Sequence, residues 1–198
     1  MLLSVCFSLL PIAEIAAEES ELVQAWLKVS LKHAQDYVFH SQDKADKPFT
    51  MLPQAVFRHS QPVRGDDIGA VYLWVDADQR PEVIGTTFAF TLEADRRMVV
   101  HELHSLGSEP SQSQWRGKRP WQPKRVDLDW KAVPNAPPVN ANPAVRQRQV
   151  RDIAHRFSAN SIDEKEGRWE LRLVAKPVHQ FEGEQPNAVS CGSRLLFR

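Results

Sequence analysis

The chain has 198 residues, of which 42% are hydrophobic, and this is enough to bury the core of one globular domain. Lys plus Arg (25) equals Asp plus Glu (25), so no net charge is available to attract nucleic acid or an anionic membrane surface. The composition therefore excludes fibrous and fully disordered chains, and it predicts no nucleic-acid partner.

The first residues are typical of a secretory signal peptide. An apolar stretch, too short to span a bilayer, is followed by small residues up to Ala17. No basic residue precedes this stretch, which leaves two alternatives open, a start further upstream and a buried first segment. Cleavage after Ala17 would remove Cys6 and leave Cys191 as the single cysteine of a domain of residues 18–198. We expect an exported protein, periplasmic or extracellular, without a transmembrane segment.

The segment Glu18–Phe39 has the periodicity of an α-helix. Leu22, Trp26 and Val29 recur at helical spacing together with other apolar residues, and a narrow polar stripe lies opposite them. His33 falls within the apolar arc. A hydrogen-bonded core histidine is expected there rather than a ligand.

The middle of the chain predicts strands. Residues 49–64 are extended but broken by prolines, which suits an edge or bulged strand. Residues 70–75 and 81–90 are rich in β-branched and aromatic residues and are separated by a short polar turn, and residues 98–106 follow after a charged turn. These three strands are predicted to form an antiparallel meander.

Residues 107–143 carry many prolines and are predicted to be an irregular connection over the surface, pinned by Trp115, Trp121 and Trp130, with one short strand at 126–130. Asn142 as N-cap and Pro143 at the first helical position then begin a helix that is predicted to run to about residue 159.

The segment 168–173 alternates strictly between apolar and charged residues. This pattern predicts a strand with Trp169, Leu171 and Leu173 on one buried face. Taken together, the elements predict a single α+β domain, with an antiparallel sheet of about five or six strands and two main helices packed on it.

Several motifs carry a resemblance to known proteins. They are Gly69-Ala70-Val71-Tyr72-Leu73-Trp74, Arg80-Pro81-Glu82-Val83-Ile84, His101-Glu102-Leu103-His104-Ser105-Leu106, Val133-Pro134-Asn135-Ala136-Pro137, the arginine-rich helix and Leu171-Arg172-Leu173-Val174-Ala175-Lys176-Pro177.

Over roughly residues 65–183 the chain resembles a family of uncharacterised bacterial proteins, many of which have export signals. The resemblance implies export but brings no assigned activity or ligand. Members of that family continue with further apolar strands, whereas this chain ends on Leu195-Leu196-Phe197. The resemblance therefore implies that the domain is truncated at its C-terminal end.

The histidines at 101 and 104 give the most conspicuous candidate chemistry. A helical zinc site of the HExxH type needs histidines four residues apart, and here they are three apart within β-type sequence. In a strand, Glu102 and His104 point to the same side and can act as an acid–base pair, or they can form an ordinary cross-strand polar pair. We predict no metal site and, because no phosphate-binding or dinucleotide motif is present, no cofactor.

A second candidate interleaves cations with indole rings at Trp115, Arg119 and Trp121. This composition binds sugars or single-stranded nucleic acid, and a glycan or another envelope ligand is the better match for an exported protein. The alternative is that the indoles anchor the proline-rich connection.

These observations favour a non-catalytic, exported domain that binds or docks to a partner in the cell envelope. The alternative is a small hydrolase or lyase that uses Glu102 and His104 as its acid and base.

Overall fold

The computed structural model describes residues 12–42, 44–61, 67–93, 96–107, 110–115, 119–123, 132–163, 167–174, 177–183 and 190–193. Its helices are α1 (Ile12–Gln35) and α2 (Pro143–Ala154). Its strands are β1 (Tyr37–Ser41), β2 (Lys44–Pro48), β3 (Thr50–Met51), β4 (Phe57–Gln61), β5 (Asp67–Val75), β6 (Pro81–Glu93), β7 (Arg96–Ser105), β8 (Ser111–Trp115), β9 (Arg119–Trp121), β10 (Ala159–Asp163), β11 (Gly167–Leu171), β12 (Gln180–Gly183) and β13 (Ser190–Ser193).

All described strand pairs are antiparallel. A five-stranded sheet has the order β3-β5-β6-β7, with β4 also paired to β5, and it curls into a half-barrel. A four-stranded sheet has the order β2-β1-β8-β9, and β10-β11 and β12-β13 are separate two-stranded ribbons. Among the described residues, neither helix has the length and apolarity needed to cross a membrane.

The predicted meander is confirmed as β5-β6-β7. The turn between β5 and β6 is closed by Asp76, whose Oδ1 accepts the backbone N–H of Asp78 at 2.9 Å and that of Arg80 at 2.8 Å. The preceding extended segment also forms as predicted. It gives β3 and β4, which both pair with β5 and are separated at Pro53.

The predicted architecture, one sheet with two main helices packed on it, is wrong. The described residues form several sheets, and the two helices are minor elements. Helix α1 packs on β5 and β6, but α2 makes no extensive contact with any described strand. Ala154 is its one buried residue. Its other residues are half-buried or exposed, so α2 does not cover a sheet.

The predicted end of the first helix is also wrong. The helix stops at Gln35, and Tyr37, Val38 and Phe39, which were predicted to continue it, begin β1 instead. The connection predicted to be irregular contains β8, which pairs with β1, and β9. Proline at position 120 is compatible with β9, because that strand lies at the edge of its sheet. The predicted strand at 126–130 lies outside the described residues.

The end of α2 and the burial of the strand near residue 168 also differ from the prediction. The N-cap is confirmed, since Asn142 Oδ1 accepts the N–H of Ala144 at 2.9 Å, but α2 ends at Ala154 and β10 begins at Ala159. The predicted strand near 168–173 forms as β11. Its Trp169 is 42% exposed rather than buried, because β10 and β11 form a ribbon of their own.

The main core lies between α1, the half-barrel and the four-stranded sheet. Alternate residues of β5, namely Ala70, Tyr72 and Trp74, face this core. The Tyr72 hydroxyl lies 3.0 Å from Ser30 Oγ, and Ser30 donates to the Thr87 carbonyl at 3.2 Å. Because a serine hydroxyl has one proton, Tyr72 donates to Ser30 in this arrangement.

Gly85 on β6 provides the space that the neighbouring core side chains need. A Cβ atom at this position would come within 2.8 Å of Leu103 Cδ2 and 2.9 Å of Trp74 Cζ3. The absence of a side chain therefore allows both of them to pack against the sheet.

We predict that Gly85→Ala lowers the free energy of unfolding by about 1–3 kcal/mol, because the added methyl group overpacks the core. Urea denaturation measures this. In a Leu103→Ala background the cost should fall, since one of the two clashing groups is gone. An equal cost in both backgrounds would contradict the steric explanation.

A second prediction concerns alkaline pH. Burial raises the pKa of the Tyr72 phenol above its usual value of 10.0. A hydrogen bond that Ser30 donates to the ionised form and the charge of Arg58 act in the opposite direction. The folded state therefore favours the neutral phenol. Its contribution to stability is fully present below about pH 10 and is lost as the pH rises through the folded-state pKa.

Stability should accordingly fall more steeply above about pH 10 in the native protein than in Tyr72→Phe. Urea denaturation between about pH 8 and pH 11 compares the two proteins. Because the lysines and Tyr37 are present in both, their titration at alkaline pH cancels in the comparison. Parallel curves would show that Tyr72 does not contribute.

Candidate functional site

A cavity of about 320 Å³ lies where α1, β7 and the four-stranded sheet meet. Five elements, α1, β1, β7, β8 and β9, contribute to its wall. The described lining residues are His33, Tyr37, Val99, His101, Leu103, Trp115 and Trp121.

The period-two geometry of the strands explains this convergence. His101 is the register partner of Thr87 and Leu103 that of Gly85, so both lie on the face of the half-barrel that α1 covers. Tyr37 on β1 is likewise the register partner of Trp115 on β8, and their side chains share a face. The cavity is thus formed by pairings between residues far apart in sequence.

Three polar side chains form a chain of hydrogen bonds in the wall. His33 Nδ1 lies 2.9 Å from His101 Nε2, and the Tyr37 hydroxyl lies 2.7 Å from His101 Nδ1. Both ring nitrogens of His101 are therefore engaged. The chain joins α1, β1 and β7, three elements that the backbone hydrogen bonds of the sheets do not link to one another.

The two imidazoles share one proton between their facing nitrogens. Their ring centres lie 5.1 Å apart, and the ring planes are 81° apart. Because the two facing nitrogens are separated by 2.9 Å, both nitrogens lie close to the line that joins the ring centres. In one arrangement, the Tyr37 hydroxyl donates to Nδ1 of His101 and Nε2–H of His101 donates to His33. In the other, His33 donates to Nε2 of His101 and Nδ1–H of His101 donates to the Tyr37 hydroxyl. The bond thus couples the tautomers of the two rings.

Two indole rings also line the cavity. The Trp115 ring centre lies 5.5 Å from that of His101 and 5.8 Å from that of His33. Trp121 meets the buried ring of Phe39 edge-on at 5.6 Å. Both indoles are half-buried, and Trp121 packs against the core as well as lining the cavity.

Of the site residues predicted from the sequence, some line the cavity and others lie on the far side of the sheet. Trp115 and Trp121 both reach the cavity, and Arg119 is the register partner of Trp115. Glu102 and His104 share one face of β7, as the alternation predicts, but this is the opposite face of the sheet. Both are exposed and lie away from the cavity.

Sequence reasoning missed His101 and Tyr37 as members of the site. The alternation that turns Glu102 outward places His101 inward beside Leu103, and this was the available signal. The prediction of a hydrogen-bonded histidine at position 33 is confirmed, although the side chain is half-buried. Tyr37 gave no signal, because it was assigned to the helix.

The described residues contain no group of three or more His, Cys, Asp or Glu side chains arranged to hold a metal ion. Cys191 lies in β13, where its register partner is Glu182. No protein-family model, curated protein or solved structure matches the chain.

The hydrogen bond between the imidazoles gives a third prediction. His33→Ala and His101→Ala should each lower the free energy of unfolding by about 1–3 kcal/mol, because the partner nitrogen loses its bond in a half-buried site. The double variant should cost less than the sum of the two single variants, by about 0.5–3 kcal/mol.

Thermal or urea denaturation of the four proteins completes this cycle. His104→Ala is the matched control on the outer face of the same strand, and it should change stability by less than about 0.5 kcal/mol. Additive effects of the two cavity histidines would show that they are not coupled.

Proposed function

We propose that the protein is an exported, non-catalytic binding domain of the cell envelope and that it binds a sugar ring in the cavity between α1 and β7. The observation that carries this proposal is the convergence of Trp115 and Trp121 with imidazole and phenol groups on one cavity. The assignment to the envelope rests on the apolar first residues, which are typical of a secretory signal peptide.

The size and composition of the cavity support a small ring-shaped ligand. Its volume of about 320 Å³ is at the lower end of the range for small-molecule sites, about 300–1,000 Å³. A pyranose ring has an apolar face of C–H groups and a polar edge of hydroxyls. The two indole rings that line the cavity suit the first, and the imidazole and phenol groups beside them suit the second.

Binding is favoured over catalysis by the positions of the candidate acid and base. An acid–base pair needs to converge with other polar groups in a concave site. Glu102 and His104 are exposed on the outer face of β7, whereas the cavity opens on the inner face. The hydrolase or lyase alternative therefore has the weaker support.

The test uses N-acetylglucosamine and its β-1,4-linked disaccharide with the full-length protein. We expect a rise in melting temperature and a change in indole fluorescence, because a ligand that binds the native state stabilises it. Trp115→Ala should weaken binding about tenfold, since it removes a stacking surface.

Trp169→Ala is the matched control, because this indole lies on the ribbon β10-β11 and is 42% exposed. Trp115→Phe, which keeps an aromatic ring, separates loss of binding from loss of fold. Absence of any effect of either sugar at about 10 mM would refute the glycan proposal. So would equal weakening by the substitutions at 115 and 169.

A further inference from the structure

A second concave surface lies beside α2 and shares no described residue with the cavity of the proposed function. Two adjoining cavities of about 430 and 1,030 Å³ have Gln147, Val150 and Gln180 in common. We call the space that these two cavities form between α2 and residues 173–174 and 177–181 the α2 groove.

The floor of the α2 groove is apolar. Ala154 is 1% exposed, and the other apolar residues that line the larger cavity are half-buried. They are Val150, Leu173, Val174, Pro177 and Val178. The apolar stripe of α2, predicted from its sequence to lie on a sheet, thus faces a groove instead, and this groove offers a ligand an apolar surface on both sides.

Arg151 places a positive charge at the rim of the larger cavity. Arg151 and His155, the residue after the end of α2, line the larger cavity. None of the described residues around that cavity is acidic, whereas Asp78 lines the smaller one. Arg146 at the smaller cavity already donates to the carbonyls of Asn140 and Ala141. Arg151, which is exposed, is therefore the guanidinium placed to meet an anionic ligand.

We propose that the α2 groove binds a single long-chain carboxylate, with its hydrocarbon tail on the apolar floor and its carboxylate at Arg151. The charge of Arg151 favours an anion, and its planar guanidinium matches a carboxylate in a bidentate arrangement. A single chain is favoured over a bilayer surface, because a helix that lies on a membrane presents its apolar residues on a convex, exposed face. Here Val150 and Ala154 line a concave one.

The experiment is calorimetric titration of the full-length protein with dodecanoate below its micellar concentration at about pH 7.5. We expect saturable binding with one molecule per chain. Dodecyltrimethylammonium, which has the same tail and the opposite charge, should bind at least about tenfold more weakly. Hexanoate should also bind at least about tenfold more weakly, because it leaves half of the apolar contact unmade.

Two variants of the same helix assign the site. Arg151→Gln should weaken dodecanoate binding at least about tenfold, because the bidentate charge-assisted pair with the carboxylate is lost. Arg148→Gln removes the same charge from an exposed position that lines neither cavity, and it should leave affinity within about twofold. Circular dichroism of both variants verifies the fold.

Three results would overturn the proposal: no binding of dodecanoate to the native protein, equal binding of the two oppositely charged detergents, or equal effects of the two arginine substitutions. Co-sedimentation with phosphatidylglycerol vesicles tests the membrane alternative. Vesicle binding that neither Arg151→Gln nor dodecanoate reduces would show a surface interaction in place of the groove site.

Discussion

The contact between Phe39 and Trp74 joins the two large sheets, and the rest of the core depends on it. Phe39 in β1 is 0% exposed and Trp74 in β5 is 2% exposed, and their rings meet edge-on with centres 4.7 Å apart. Burial of two large aromatic rings is among the strongest stabilising contributions available to a domain of this size. Because one residue, Asp36, separates α1 from β1, this contact also fixes the end of the helix.

The candidate site follows from that constraint. His33 lies in the last turn of α1 and Tyr37 is the first residue of β1, so the short connection between helix and strand brings them to the same end of the core. His101 lies on the inner face of β7 and bonds to both. Part of the cavity wall is therefore a direct product of the helix-to-strand junction, and the hydrogen bonds there reinforce the aromatic contact that holds the sheets together.

The elements with strong local patterns were predictable from sequence. Strands β5, β6 and β7 alternate or are rich in β-branched residues, and Asn142-Pro143 is a strong helix start. The strand β1 was not predictable, because Tyr37 and Val38 continue the apolar arc of α1 as well as they begin a strand. Burial of Phe39 against Trp74 decides between the two, and this contact joins residues far apart in sequence.

Strand β8 could not be predicted from its sequence for a related reason. Its sequence, Ser-Gln-Ser-Gln-Trp, has no apolar alternation, yet Ser113 is 3% exposed. Its register partners on either side are Phe39 and Trp121, whose rings fill the core so that a small residue fits between them. The inward position of His101 followed from period-two geometry, but its partners His33 and Tyr37 depend on this same long-range packing.

The two concave surfaces differ in how they are held. The cavity between α1 and β7 is lined by residues of α1 and of the two large sheets, and several of these side chains already contact one another. A ligand there meets a wall that is largely formed in advance, so little ordering opposes binding. Helix α2 buries only Ala154, and its neighbouring strands form ribbons outside the two large sheets. An apolar tail in the α2 groove would supply contacts that the chain itself does not make there. Ligand binding in the α2 groove should therefore stabilise α2 itself. Ligand binding in the cavity between α1 and β7 should instead add to the stability of a core that the aromatic contacts already hold together.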